Sequence, residues 1–278
     1  MKRFVTILLC ALLLTGCGSK APATINSNVE DTSVQAKEIV TSMINNFAMQ
    51  RNIGMFCGTT DSTMKIIQSC EMYADLDNDI YHTIYLDDVT DADTIYQVKL
   101  DQANKIEYTA TKYGWLKTES FSEYRSIFTD FFNFLNLDNL QLVTDKEDIE
   151  VNSGINYDDY NIVEETSQSE DKNYIFYTSI FINKETNLPD YISVQMYDKS
   201  SDDSGDSKLV VEEEDGTTAY ANVLMSGKIY SFAYYKPDDE EHWNFYQEAI
   251  KLPDETITEE EYNEQAWKDT GEENEKDN

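Results

Sequence analysis

Residues 64–86 read MKIIQSCEMYADLDNDIYHTIYL. Two runs of alternating apolar and polar residues, MKIIQSCEMYA and IYHTIYL, flank a short acidic centre, and Asp77-Asn78 sits where a tight turn is needed. A period of two sends successive side chains to opposite faces of a strand, and strands joined by so short a link pair antiparallel. The pattern recurs outward. TIYQVKL (94–100) and KIEYTAT (105–111) are linked by Gln102-Ala103-Asn104. NYIFYTSIFI (173–182), YISVQMY (191–197), TAYANVLM (218–225) and KIYSFAYY (228–235) follow, the last two separated by Ser226-Gly227. With 19 Tyr and 12 Phe the chain favours sheet, because aromatic side chains suit a half-buried pleated surface. An antiparallel meander is expected.

Two segments follow a helical period instead. Thr32 with Gln35 forms a capping-box pattern ahead of a stripe of Ala36, Ile39, Val40, Met43, Ile44 and Phe47. Ser120 with Glu123 repeats the pattern ahead of SFSEYRSIFTDFFNFLN (120–136), where Phe121, Tyr124, Phe128, Phe131 and Leu135 keep helical spacing. Phe132 and Phe134 widen that face, so this helix is expected to lie across something broad, namely the sheet.

The chain starts differently. Lys2 and Arg3 precede an apolar run from Phe4 to Leu14, broken only by Thr6. At roughly 1.5 Å per residue the run covers about half of a ~30 Å hydrocarbon core, so it reads as a secretory signal and not as a span. Leu14-Thr15-Gly16-Cys17 closely resembles the lipobox of bacterial lipoproteins. That resemblance implies removal of residues 1–16 and a diacylglycerol on Cys17, the new first residue. Residues 17–32 are small and polar and read as a tether, 33–253 as the folded domain, and 254–278 as a solvated acidic tail with transient helix in EEEYNEQAW.

Loss of Lys2 and Arg3 with the signal leaves 19 basic residues against 54 acidic ones. Such a surface repels nucleic acid and anionic headgroups at long range, so lipid must supply the membrane attachment. A 40% hydrophobic content still supports a sizeable core. Of four cysteines, Cys10 leaves with the signal and Cys17 carries lipid. Cys57 and Cys70 either pair outside the cytoplasm, closing a loop whose entropy is worth on the order of 3 kcal/mol, or stay as small apolar thiols.

The order of tether, amphipathic helix, strand meander, mid-chain helix and further meander resembles the LolA/LppX-like lipoproteins and lipoprotein carriers. Ile182-Asn183-Lys184-Glu185-Thr186-Asn187-Leu188-Pro189 is similar to the D-x-x-T-G-L-P hairpin of that family, with Asn183 for Asp and Asn187 for Gly. Asn tolerates left-handed backbone and bonds its own turn, so both departures keep the hairpin. Ile250-Lys251-Leu252-Pro253 resembles the last strand and exit of related Gram-positive lipoproteins. The resemblance implies an α+β fold: a strongly curved antiparallel half-barrel with helices packed on its concave face.

Catalytic signatures are sparse. Asp75, Asp77 and Asp79 have the opening spacing of a calcium loop, but Ile80 stands where Gly is required and Leu86 where a bidentate Glu is required, so a hairpin turn is expected. The clusters Asp87, Asp88, Asp91, Asp93 and Asp202, Asp203, Asp206 read as acidic loops. Only two histidines are present. His82 shares a strand face with Ile80, Ile84 and Leu86 and reads as a core or rim residue, and His242 follows four acids and reads as a surface histidine. No metal site, cofactor or enzyme activity is expected.

These readings lead to a monomeric lipoprotein at the outer face of the cell membrane, with no nucleic-acid partner, binding or transferring an apolar ligand that is either lipid or lipidated protein. The family resemblance implies a cavity between the aromatic helix and the sheet. Its expected lining is Phe121, Tyr124, Phe128, Phe131 and Phe132 from the helix with Tyr108, Phe176 and Ile180 from the strands. The rival reading is an envelope protein-interaction or sensor module with a filled core.

Overall fold

A computed structural model describes residues 29–86, 96–144, 156–169, 173–200, 209–212 and 218–276. Cys17, the signal segment and the two acidic loop clusters at 87–93 and 202–206 lie outside the described residues. The strands are β1 (Asn52–Thr60), β2 (Ile66–Asp75), β3 (Ile80–Leu86), β4 (Tyr96–Asp101), β5 (Ile106–Thr111), β6 (Gly114–Glu119), β7 (Leu140–Leu142), β8 (Tyr160–Gln168), β9 (Tyr174–Asn183), β10 (Pro189–Ser200), β11 (Leu209–Glu212) and β12 (Thr218–Tyr234). The helices are α1 (Val29–Ala48), α2 (Arg125–Thr129), α3 (Glu240–Ile250) and α4 (Glu259–Lys276). Neighbouring strands follow the order β6-β5-β4-β3-β2-β1-β12-β10-β9-β8-β7, with β11 on β12. The class is α+β with an open antiparallel sheet, as the alternating pattern requires.

Three hairpins are closed by one device: a side-chain acceptor at the first turn position and a left-handed residue four positions on. Asp75 accepts from the backbone N–H of Asp77 (3.1 Å) and Asn78 (3.0 Å), and Asp79 has φ +54°. Asp101 accepts from the N–H of Asn104 (3.1 Å), and Lys105 has φ +58°. Asn183 accepts from the N–H of Glu185 (2.9 Å) and Thr186 (3.2 Å), and Asn187 has φ +52°. Acceptors of this kind stabilise the turn locally and offset the left-handed residue, which costs about 1–2 kcal/mol for a residue with a Cβ. Asp75 is thereby a turn residue, the role expected over calcium binding.

Other expectations fail. Ser226-Gly227 is not a turn. It lies within the single 17-residue strand β12, where Gly227 pairs with Gln195. A Cβ on Gly227 would stand 2.8 Å from Thr60 Oγ1 and 3.2 Å from the Val194 carbonyl, so the glycine marks a close approach and not a reversal. Register shifts at Met196/Tyr197 and Asp198/Lys199 bend the β10–β12 pair locally. Ile250 ends helix α3 and not a strand; residues 259–276, which include the EEEYNEQAW expected to form transient helix, are helical.

The chain divides into two compact units, each described by itself. The first comprises the chain up to Gln50 with Met55–Ser69 and Phe132–Ala233; the second comprises Arg51–Gly54, Cys70–Phe131 and Tyr234–Asn278. In the first unit α1 begins at Val29, three residues ahead of Thr32, and buries Ala36, Val40, Met43 and Phe47 from the expected stripe. Asn187 Nδ2 donates to Ser42 Oγ (2.7 Å), which ties α1 to the β9–β10 turn. The Phe47 ring meets Phe132 edge-on at 5.0 Å and Phe232 at 5.5 Å.

In the second unit β3 is covered on both faces. Tyr81 stacks on Phe128 of α2 at 6.2 Å, while His82, the next residue, faces the other way and lies 6.0 Å from Tyr73. Tyr73 meets Phe245 of α3 at 5.9 Å. Helices therefore flank both sides of this meander. Helix α3 starts at Asp239, whose carboxylate accepts from the His242 N–H, and its Tyr246 hydroxyl donates to the Ala74 carbonyl at 2.9 Å. The outer edge of β6 is capped by residue 257: Lys117 N–H donates to the Ile257 carbonyl (3.0 Å) and Ile257 N–H to the Trp115 carbonyl (2.9 Å). Helix α4 follows, held by the Lys112–Asp269 ion pair at 2.6 Å and by Tyr113 against Tyr262 at 5.6 Å.

Candidate functional site

Of the eight residues expected to line one cavity, Tyr108, Phe121, Tyr124, Phe128 and Phe131 belong to the second unit and Phe132, Phe176 and Ile180 to the first. The segment 120–136 is a five-residue helix followed by a 3-10 turn, Phe131–Phe134, and not one long helix. Ser120 does not cap it, because its hydroxyl donates to Glu107 (3.1 Å) and accepts from the Ser122 N–H. Gln102 Oε1, on the distant β4–β5 turn, accepts from the Tyr124 N–H at 2.8 Å instead. A run rich in Phe, Ser, Asp and Asn has weak helix propensity, so tertiary contacts decide its length.

Phe128 is 1% exposed against Tyr81, and Phe132 is 7% exposed against Phe47. Both are core. The division between units falls between Phe131 and Phe132, so this segment contributes to two separate cores. Tyr108 pairs with Lys99, which pairs with His82, so by the period of two it lies on the α3 face and not on the face that carries Tyr81 and α2. Phe176 and Ile180 belong to the first unit; Ile180 is fully buried and Phe176 half-buried. Tyr124 and Phe131 are half-buried, and Phe121 is 82% exposed. Cys57 and Cys70 are half-buried and not joined by a disulfide.

The α3 face of the second unit holds a polar core that hydropathy does not reveal. His82 Nε2 meets Gln97 at 3.3 Å, and burial, followed by the Lys99 charge, pushes its pKa down to about 4. Burial likewise pushes Lys99 down to about 8, partly opposed by Glu248. The Lys99 ammonium donates to the Lys251 carbonyl just past α3 and lies 5.6 Å from the Trp115 ring. Burial raises Glu71, which accepts from the Tyr73 hydroxyl at 3.0 Å. His242, by contrast, is on the surface and meets Asp239 at 2.6 Å. Among the described residues no group of three or more His, Cys, Asp or Glu side chains is placed to hold a metal ion.

A groove of about 520 Å³ opens on the β5–β6 hairpin, lined by Asn104, Lys105, Ile106, Lys117, Glu119 and Phe121 among others. Its apolar lining is Ile106 and Phe121, and the Lys105 ammonium sits 5.6 Å from the Phe121 ring. Lysine at this distance from an aromatic face is attracted by the ring quadrupole. Helical spacing places Phe121 on the helix, so the sequence carries no signal for this site; Phe121 in fact precedes α2. A second hollow, about 750 Å³, runs along α4 beside Trp267 and is lined largely by acids.

No family model and no curated protein matches the chain. Solved structures to which it is similar include the lipoprotein LppX of Mycobacterium tuberculosis, at TM-score 0.42 and 8% identity over 72% of this chain and 94% of that one. LprF from Mycobacterium bovis matches at TM-score 0.43 and 7% identity, over 72% and 92%. An uncharacterized conserved protein from Thermus thermophilus matches at TM-score 0.32 and 8% identity, over 81% and 98%. No helix among the described residues is long and apolar enough to cross a membrane.

Proposed function

We propose that this chain is an extracytoplasmic lipoprotein, held at the membrane by diacylglycerol on Cys17, that binds an amphipathic or apolar ligand and catalyses no reaction. The anchor is supported by the basic start, the short apolar run and LLLTGC. The binding role is carried by one observation: Phe121, a large apolar side chain, is 82% exposed on the wall of a groove. Phe128 and Phe132 of the same segment are core, so the ligand-contacting surface is the exposed Phe121 with the half-buried Tyr124 and Phe131. Burial of His82, which holds it neutral, supports a role without acid-base chemistry at that residue.

Mass spectrometry of the full chain purified from membranes tests this reading. The expected result is a diacylglyceryl group on Cys17 and a co-purifying lipid that is lost in Phe121→Ser. An unmodified Cys17, or a ligand-free chain with Phe121→Ser indistinguishable from it, overturns the corresponding half. The rival reading, an envelope protein-interaction module, is favoured by the packing of Phe128 on Tyr81 and of Phe132 on Phe47. In-cell cross-linking to one reproducible protein, without lipid, would select it.

A further inference from the structure

The charge balance of the β5–β6 groove is opposite to that of the chain. Overall, 54 acidic residues face 21 basic ones, yet the groove is lined by two lysines, Lys105 and Lys117, with Ile106 and an exposed Phe ring against one carboxylate, Glu119. Lys105 and Lys117 are exposed, and Lys105 is set at the rim by the left-handed turn that Asp101 closes. One ammonium 5.6 Å from an exposed aromatic ring and a second lysine in the same lining match one chemistry, an anionic headgroup with hydrocarbon next to it.

We infer that the groove holds the headgroup of an anionic phospholipid of the membrane surface, with Phe121 entering the interface beside it. This rests on the membrane-anchored reading and names the ligand and the face that receives it. The acidic remainder is repelled by the same surface, but that repulsion is screened beyond about 8–10 Å at physiological salt. Attraction at the groove and repulsion elsewhere therefore act together to turn the β5–β6 hairpin towards the bilayer. Glu119 lowers the positive charge of the site and so weakens the attraction. A volume of about 520 Å³ is within the range of small-ligand sites.

The test uses the lipidated full chain reconstituted into phosphatidylcholine vesicles with brominated acyl chains, with or without brominated phosphatidylglycerol. Phe121→Trp adds one emitter at an exposed position, read as the difference from the native chain with its Trp115, Trp243 and Trp267. The expected result is quenching of the added emission with phosphatidylglycerol present and its loss in high salt. Lys105→Gln and Lys117→Gln, in the Phe121→Trp background, are each expected to weaken the quenched state about fivefold. Far-UV circular dichroism checks that the variants fold. A chain that floats with the vesicles but whose added emission is equally unquenched with and without phosphatidylglycerol overturns the inference and leaves the anchor standing. A chain that does not float overturns the anchored reading, and the inference with it.

Discussion

The two units bury ionisable groups of opposite kind. In the first, Glu164, Glu165 and Asp190 are all raised by burial. In the second, His82 and Lys99 are lowered by burial, with Glu71 the one raised carboxyl of that core. A buried acid with a raised pKa holds its proton longer when folded, so its unit loses stability as pH rises. A buried base with a lowered pKa sheds its proton when folded, so its unit loses stability as pH falls. Acid should therefore loosen the second unit before the first.

The largest expected effect breaks the shared feature, the filled core. Phe128→Ala and Phe47→Ala should each lower stability by about 3–5 kcal/mol in denaturant titration. A loss below about 1 kcal/mol for Phe128→Ala would mean that the space under α2 is not closed by Tyr81.

The acid response comes next. His82 titrates near 6.5 unfolded and about 4 folded, so the unfolded chain binds more protons between those values, and stability falls as pH drops through that window. The loss reaches about 3 kcal/mol at the lower end. Thermal unfolding at pH 6.5 and 4.5 should show it, and His82→Leu should flatten the profile. In the first unit, Glu165→Gln should stabilise progressively as pH rises above the ordinary carboxylate range and do nothing in acid. Hydrogen exchange in β8–β9 is the measurement, and an effect of the opposite sign would remove the contrast between the units.

A smaller effect compares two turns. Lys105→Gly relieves a left-handed backbone and should stabilise by about 1 kcal/mol. Asn187→Gly should gain less, because it also removes the 2.7 Å bond to Ser42. Smallest is Asp269→Asn, which breaks an exposed ion pair with Lys112 and should leave the unfolding midpoint unchanged, since such pairs contribute little.

Where side chains decide structure locally, the sequence was legible. IYHTIYL forms β3, and Asn183 and Asn187 close their hairpin as their chemistry requires. Long-range packing was not legible. NIGMFCGTT shows no clean alternation, yet it forms β1, because Gly54 makes room for the Tyr235 ring, where a Cβ would stand 2.9 Å from it. Helix α3 carried a readable signal, Asp239 as N-cap with Tyr246 and Ile250 on one face, obscured by the surrounding acids. The aromatic segment 120–136 misled because periodicity states that rings share a face but not which core receives each one. Of the candidate residues, Phe121 kept its exposure because Ser120 and Gln102 set where the chain turns into α2.

Residue 257 covers the terminal strand of the sheet by bonding to the backbone of Trp115 and Lys117. Chains tethered by one end to a bilayer are confined to two dimensions, where neighbours meet often and at high local density. An uncovered strand there would be a template for edge-to-edge aggregation. On the proposed anchor, deleting the short segment ahead of α4 should show first as clustering at the membrane and not as loss of the fold.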